Sequence, residues 1–151
     1  MTAAPVRVEE LGEVDDDVVA AFARLVPQLS SATPPDLGAL RRVVEQDGTV
    51  LLLARDGDGA ILGTLTLVTF AIPTGARAII EDVVVDDAAR GRGIGAALVA
   101  GALDAARARG VRTVDLTSRP ARAAANRLYE RSGFVRRETN VYRLLLEGRD
   151  D

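Results

Sequence analysis

The feature that most constrains the fold is an apolar run that leads through a glycine-rich loop into an Ala-rich helix. Five of the seven residues 79–85 are Val or Ile, which is typical of a largely buried strand. Gly91, Gly93 and Gly95 follow, and an Ala-rich helical pattern then runs to Gly110. Because the first N–H groups of a helix have no partner within it, this segment predicts a strand, loop and helix with an anion site at the loop.

Two arginines lie within the loop and indicate which anion it binds. Arg90 and Arg92 alternate with the glycines, so positive charge lies beside backbone that small residues leave accessible. A diphosphate at the helix N-terminus is the expected ligand. The Walker A loop is excluded, because no Gly-Lys-Ser/Thr follows the glycines.

A dinucleotide-binding fingerprint is a closer alternative. Gly91, Gly93 and Ala96 satisfy G-x-G-x-x-A, and Asp115 lies about twenty residues further on. In that fold, however, the first glycine follows the strand directly, whereas residues 86–90 intervene here. A hairpin, not a strand-helix-strand unit, also precedes the loop, and we therefore reject this alternative.

The first half of the chain predicts a strand, two helices and a hairpin. A strand at residues 5–10 leads to the acidic run 15–17, which suits a helix N-terminus. Pro27 is expected to end or kink that helix, and a second helix then extends toward Gly48. Two β-rich runs, residues 50–55 and 60–70, are joined by Asp-Gly-Asp-Gly, a strong hairpin signal.

The second half predicts the remaining elements of an α/β fold. After the Ala-rich helix come a strand at 112–118, a helix from about 120 to 132, and short strands at 134–136 and 140–146. The predicted order is β-α-α-β-β-β-α-β-α-β-β around a mixed sheet. No internal repeat or linker interrupts residues 1–151, so a single domain is expected.

Composition excludes several kinds of chemistry. The chain contains no Cys and no His, which rules out Ser-His-Asp and Cys-His catalysis, thiolate metal sites and imidazole ligands. A carboxylate site for a hard metal remains open, although we expect no metal. All 19 basic residues are Arg and 22 are acidic, for a net charge of −3. Because nucleic-acid-binding proteins usually carry a basic patch, no nucleic-acid partner is expected.

Hydropathy indicates no association with a membrane. No apolar run approaches the ~20 residues that cross a bilayer. Residues 1–8 lack the basic region and apolar stretch of a secretion signal. A cytoplasmic protein is expected.

Two motifs in order resemble the GNAT acetyltransferases. Arg90, Gly93 and Gly95 match the family's R/Q-x-x-G-x-G/A directly after a Val-Val-Val-Asp strand. Residues 125–134 resemble its second motif, which ends in Tyr-x-x-x-Gly-Phe. The resemblance covers residues 79–134 at the level of motifs and the whole chain at the level of element order.

The resemblance implies an N-acetyltransferase that uses acetyl-CoA as cosubstrate. Backbone groups of the strand pair with the pantetheine arm, and the loop binds the pyrophosphate. Tyr129 acts as general acid on the departing thiolate, and Asn126 shares its helix face. Many relatives have Asn where Arg122 stands; Arg122 either reaches the phosphates or lies on a solvated surface. The expected cofactor-binding residues are Val83, Val84, Val85, Arg90, Gly91, Arg92, Gly93, Ile94, Gly95, Ala96, Asn126 and Tyr129.

A base is also required, because an attacking amine is mostly protonated at neutral pH. Glu81 is the candidate, since a carboxylate in an apolar strand is costly unless it faces water or has a function. Alternation places Asp82 on the opposite face, although a β-bulge could exchange the two. Asp82 as base, or a purely structural pair, are the alternatives.

The reaction itself is expected to be direct attack of the amine on the thioester in a ternary complex, because no Cys is available for an acetyl-enzyme. The acceptor stays open among small amines, amino sugars, amino acids and protein N-termini. The alternative function is a non-catalytic module that senses acyl-CoA. A homodimer is possible, as is common among these proteins.

Overall fold

The computed structural model describes residues 5–147, which form a five-stranded sheet between two layers of helices. The helices α1 and α2 cover one face of the sheet, and α3 and α4 cover the other. This is the mixed α/β architecture that the sequence predicted. In chain order the elements are β1 (Arg7–Glu10), α1 (Asp16–Leu29), α2 (Leu37–Glu45), β2 (Thr49–Arg55), β3 (Ile61–Ile72), β4 (Gly75–Val85), a 3-10 turn (Asp87–Ala89), α3 (Ile94–Ala108), β5 (Thr113–Asp115) and α4 (Ala123–Arg131).

The strands lie in the sheet in their chain order, from β1 to β5. The first three pairings are antiparallel and the last, between β4 and β5, is parallel. The hairpin between β2 and β3 turns at Asp56, whose carboxylate accepts a hydrogen bond from the N–H of Asp58 at 2.9 Å. Such a side-chain contact fixes a tight turn, and it confirms the hairpin.

Two apolar layers hold the helices against the sheet. Along β2, Leu52 packs toward α3, while Leu51 and Leu53 pack toward α1 and α2. Since both faces of the sheet are covered, residues 50–54 are all buried, which explains their uninterrupted apolar sequence. Burial of each such leucine stabilises the fold by roughly 1.5–3 kcal/mol.

Helix α1 starts where the sequence predicts it, but it continues past the proline that was expected to end or kink it. Asp15 accepts a hydrogen bond from the N–H of Val18 at 2.9 Å, so the acidic run caps α1 as expected. The helix continues through Pro27 and ends at Leu29. Pro27 does not end α1, because two helical residues follow it and the N–H of Ser30 still donates to the carbonyl of Val26 at 3.0 Å.

The C-terminal segment is the main departure from the predicted order. Residues 134–136 and 140–146 form no strand, and Val135, Leu144 and Leu146 are more than four-fifths exposed. Alternating apolar residues become a strand only where another strand pairs with them. The neighbouring β5 has only three residues and offers little to pair with. The predicted strands at 134–136 and 140–146 are therefore wrong for the described structure.

Candidate active site

A large cleft opens where β4 and β5 separate. The two strands pair only from Arg77 with Thr113 to Ile79 with Asp115. Beyond that point a cleft of about 910 Å³ lies between them. The loss of pairing also explains why β5 is shorter than predicted. The cleft is lined by Gln28, Leu29, Ser30, Ser31, Ile80, Glu81, Asp82, Val83, Val84, Val85, Arg90, Leu116, Thr117, Ser118, Arg119, Pro120, Arg122, Tyr129 and Val141.

A β-bulge interrupts β4 within this cleft. Thr64 of β3 pairs with Val84, whereas Thr66 pairs with Glu81. Two residues of β4 therefore stand opposite one residue of β3, and Asp82 has a φ of +50°. A positive φ is uncommon outside glycine, and Asp and Asn tolerate it best. The bulge that the sequence left open is present.

The bulge decides which face each β4 side chain occupies. Ile80 packs in the layer beneath α3, whereas Val84 packs in the layer beneath α1. Without the extra residue both would point to the same face. Glu81 directly follows Ile80, and alternation directs it toward the α1 side of the sheet. Glu81 and Asp82 are both exposed and both line the cleft.

The glycine loop joins the end of β4 to α3. Gly91 and Gly93 have φ values of +80° and +74°, and a Cβ at either position would meet no atom within 4 Å. These glycines are thus required by the backbone conformation and leave open space beside it. Gly93 precedes the first residue of α3 without a side-chain cap. The first N–H groups of α3, at Ile94, Gly95 and Ala96, have no intrahelical acceptor.

Gly95 has a different role from the other two glycines. A Cβ at Gly95 would lie 3.1 Å from Cδ2 of Leu128 on α4. Its lack of a side chain lets α3 and α4 approach each other, so it serves packing as well as the loop. The two arginines beside these glycines are exposed, and Arg90 forms an ion pair with Asp87 at 2.8 Å.

Asp86 ties the end of β4 to the turn before the loop. Its carboxylate accepts hydrogen bonds from the N–H of Ala88 at 3.2 Å and from Nε of Arg24 at 2.9 Å. The Ala88 N–H, followed by Arg24 and Gln28, lowers the pKa of Asp86, although burial acts in the opposite direction. The carboxylate is therefore charged at neutral pH and organises donors from two distant segments.

Acid unfolding is expected to report this interaction. A lowered pKa in the folded state gives stability that is complete above the unfolded value of ~3.9 and is lost as pH falls through the folded value. In Asp86→Asn, the free energy of unfolding should depend less steeply on pH below about pH 5. Urea unfolding across this pH range measures it, with the exposed Asp47→Asn as control. An unchanged pH dependence in Asp86→Asn would contradict this account.

Tyr129, on α4, also lines the cleft. Its side chain is buried, and its ring packs edge-on against Phe134 with 6.0 Å between the ring centroids. Burial raises the pKa of Tyr129, and the cation of Arg122 only partly offsets this effect. The phenol therefore stays protonated at neutral pH and can donate a proton into the cleft.

Not all of the side chains predicted to bind the cofactor are available in the cleft. The amide of Asn126 donates to the carbonyl of Arg119 at 3.1 Å, and Asn126 does not line the cleft, whereas Arg122 does. The side chain of Val84 is committed to the core, which leaves only its backbone for a ligand. Of the predicted loop residues 90–96, only Arg90 is among the residues that line the cleft.

Gln28 and Ser118 are two of the cleft-lining residues that the sequence did not predict. Gln28 reaches the cleft from α1, and Ser118 follows β5. The Oγ of Ser118 is buried with no hydrogen-bond partner, which is unusual for a buried hydroxyl. Neither residue stands in a recognisable motif, and only the fold brings them to the cleft that Glu81 and Tyr129 also line.

Between residues 5 and 147, no three acidic side chains are grouped so that they would hold a metal ion. Over the same residues, no helix is both long and apolar enough to cross a membrane.

Known proteins resemble this chain in sequence and in fold. Mycothiol acetyltransferase from Beutenbergia cavernae is 40% identical over 110 residues, which cover 72% of this chain and 36% of the relative. The Clavibacter michiganensis protein of the same name is 39% identical over 124 residues, 79% and 39% of the two chains. A Trypanosoma brucei acetyltransferase structure superposes with a TM-score of 0.76 at 26% identity, covering 93% and 100% of the chains.

The chain spans less than two-fifths of the length of the curated relatives it matches. Its match to the family described as "Acetyltransferase (GNAT) family" nevertheless covers residues 11–134. These residues include the glycine loop, the bulged strand and α4 with Tyr129. The chain belongs to the GNAT acetyltransferase family.

Proposed function

We propose that this chain is an N-acetyltransferase that transfers an acetyl group from acetyl-CoA directly to a primary amine. One observation carries the proposal. The cleft between β4 and β5 is lined by exposed carboxylates of β4, by a buried phenol on α4 and by Arg90 of the glycine loop. An acyl transfer needs a proton acceptor, a proton donor and an anchored acyl carrier, and these residues meet all three needs.

The described residues suit CoA as the acyl carrier. Beyond Ile79, the edge of β4 that faces the cleft has no paired strand among residues 5–147, so its backbone groups are available to the amides of a pantetheine arm. The N–H groups at the start of α3, with Arg90 and Arg92, suit a diphosphate. Acetyl-CoA supplies the acetyl group as a thioester when it is bound.

The proposed proton transfers use Glu81 and Tyr129. Glu81 accepts a proton from the ammonium form of the acceptor, directly or through water, so that the nitrogen lone pair attacks the thioester carbon. The new C–N bond forms as the C–S bond breaks. Tyr129 donates its phenolic proton to the departing sulfur, and the second proton that the nitrogen loses as the amide forms restores the phenol. Glu81 releases its proton to water. Backbone N–H groups near Val83, beside the bulge, stabilise the negative charge on the carbonyl oxygen.

The proposed acceptor class rests on the names of two relatives and on the charge of the cleft. The two curated relatives are named for mycothiol, so mycothiol lacking its acetyl group is the first acceptor to test. The carboxylates of Glu81 and Asp82 also suit a cationic amine. Small amines, amino sugars, amino acids and N-terminal peptides complete the panel.

Release of free CoA tests the proposed function. The chain has no Cys, so a thiol reagent reads CoA without background from the protein for acceptors that carry no thiol. For mycothiol lacking its acetyl group, which is itself a thiol, mass spectrometry of the acetylated product replaces the reagent. Acceptor-dependent release with acetyl-CoA supports the enzyme and identifies its substrate class. Binding of acetyl-CoA by calorimetry without turnover on any acceptor would favour the non-catalytic acyl-CoA sensor. Absence of both binding and turnover would exclude both functions.

A pair of glycine variants separates the loop's role in binding from its role in stability. Gly93→Ala and Gly59→Ala both place a side chain at positive φ, +74° and +85°, in open space. Each is expected to lower the free energy of unfolding by about 1–2 kcal/mol. Only Gly93→Ala should weaken CoA binding, by about tenfold, because its methyl group occupies space beside the phosphate-binding N–H groups.

Calorimetric titration with CoA and urea unfolding measure the two effects. Gly59 lies in the hairpin between β2 and β3 and does not line the cleft. Equal loss of CoA affinity in both variants would show that strain alone is responsible, and the loop would then lose its assigned role.

A further inference from the structure

Gln28, near the C-terminal end of α1, is hydrogen-bonded to the start of the turn that precedes the glycine loop. Its side-chain carbonyl accepts the N–H of Asp87 at 2.8 Å. Its amide donates to the backbone carbonyl of Arg24 at 3.2 Å and lies 3.5 Å from a carboxylate oxygen of Asp86. One side chain thus joins α1 to residues 58 and 59 positions further along the chain.

Arg24, one turn earlier on α1, reinforces the same junction. Its guanidinium donates to the Asp86 carboxylate at 2.9 Å and to the carbonyl of Ile61 at 2.6 Å. Asp86 in turn holds the N–H of Ala88. The end of β4 is therefore fixed to α1 by charge-assisted hydrogen bonds, and Gln28 extends this attachment by one residue toward the loop.

The contact between Gln28 and Asp87 bears on the site because the turn leads into the glycine loop. Asp87 is the first residue of the 3-10 turn, and the turn leads directly into Arg90 and the glycines. Free N–H groups begin a 3-10 turn as they begin an α-helix, and Gln28 supplies the acceptor for the first of them. Gln28 also lines the cleft, as does Arg90 beyond the turn.

We propose that Gln28 is a positioning residue that holds the Asp87–Ala89 turn, and through it the glycine loop, in the orientation that binds the diphosphate of CoA. In this role Gln28 acts through the turn, without direct contact to the reacting atoms or the phosphates being required. The inference rests on the proposed function, because it assigns the loop to CoA. It predicts that loss of Gln28 weakens recognition of the diphosphate while the chemistry at the thioester is unchanged.

Gln28→Met tests this role, because it keeps the length of the side chain and removes both hydrogen-bonding groups. The Kd for CoA and the KM for acetyl-CoA should rise about fivefold, roughly the effect of one lost hydrogen bond on an equilibrium constant. The value of kcat should stay unchanged. With S-acetylpantetheine, which lacks the diphosphate, kcat/KM should equal that of the unaltered protein. Gln46→Met, at an exposed position after α2, is the matched control.

Hydrogen exchange gives a readout that needs neither substrate nor turnover. The amide of Asp87 should exchange faster in Gln28→Met than in the unaltered protein, while amides in β2 keep their protection. Unchanged exchange at Asp87, or an equal loss with acetyl-CoA and S-acetylpantetheine, would overturn the proposal. Failure of the unaltered protein to bind CoA would instead overturn the proposed function, and the exchange result would stand by itself. Gln28→Ala provides a second variant if Gln28→Met lowers the melting temperature.

Discussion

Replacement of Tyr129 by Phe is expected to lower kcat by about 10²- to 10⁴-fold, the usual contribution of a positioned acid. Only the hydroxyl is removed, and the ring keeps its edge-on contact with Phe134. Affinity for CoA and stability should therefore change little. Because burial raises the pKa of Tyr129, the phenol stays protonated through neutral pH. In the unaltered protein, any loss of kcat caused by its ionisation should occur only above about pH 10.

Steady-state kinetics with the best acceptor of the panel, and CoA titration calorimetry, measure these effects. Tyr142→Phe is the control, because Tyr142 is 87% exposed and outside the cleft lining. A kcat within about threefold of the unaltered enzyme in Tyr129→Phe would mean that the thiolate leaves without this acid. Equal losses in both variants would contradict a specific role for Tyr129.

Local patterns of the sequence predicted the parts of the fold that local chemistry determines. The cap at Asp15, the hairpin turn at Asp56 and the glycine loop before α3 each depend on a few neighbouring residues. Their side chains or their φ values specify the backbone over one turn. The same applies to the glycine loop as a candidate anion site, since adjacent residues create it.

Features that depend on residues far apart in the chain could not be predicted from local patterns in the sequence. The bulge at Asp82 exists only relative to the register of β3, so alternation along β4 left the orientation of Glu81 open. The contact between Gln28 and Asp87 joins residues 59 positions apart. In residues 140–146 the pattern suited a strand, but pattern alone does not supply a pairing partner. The face of the sheet that Glu81 occupies thus needed the structure, whereas the loop did not.

Replacement of Glu81 by Gln is expected to lower kcat/KM by about 10²-fold or more at neutral pH. The amide has the shape of the carboxylate but accepts no proton from the ammonium form of the acceptor. The variant then depends on the free amine, whose fraction rises tenfold per pH unit below the amine's pKa. The loss in Glu81→Gln should accordingly shrink as the pH approaches that pKa.

Asp82→Asn is the matched control, because it removes the neighbouring carboxylate of the same cleft. Asn tolerates the φ of +50° at this position as well as Asp does, so the bulge should persist. Comparison of kcat/KM between pH 6 and 9 for the two variants identifies the base. If Asp82→Asn carries the loss and its recovery with pH, the bulge residue is the proton acceptor. If both variants retain full activity, the pair is structural, and the acceptor must bind as the free amine.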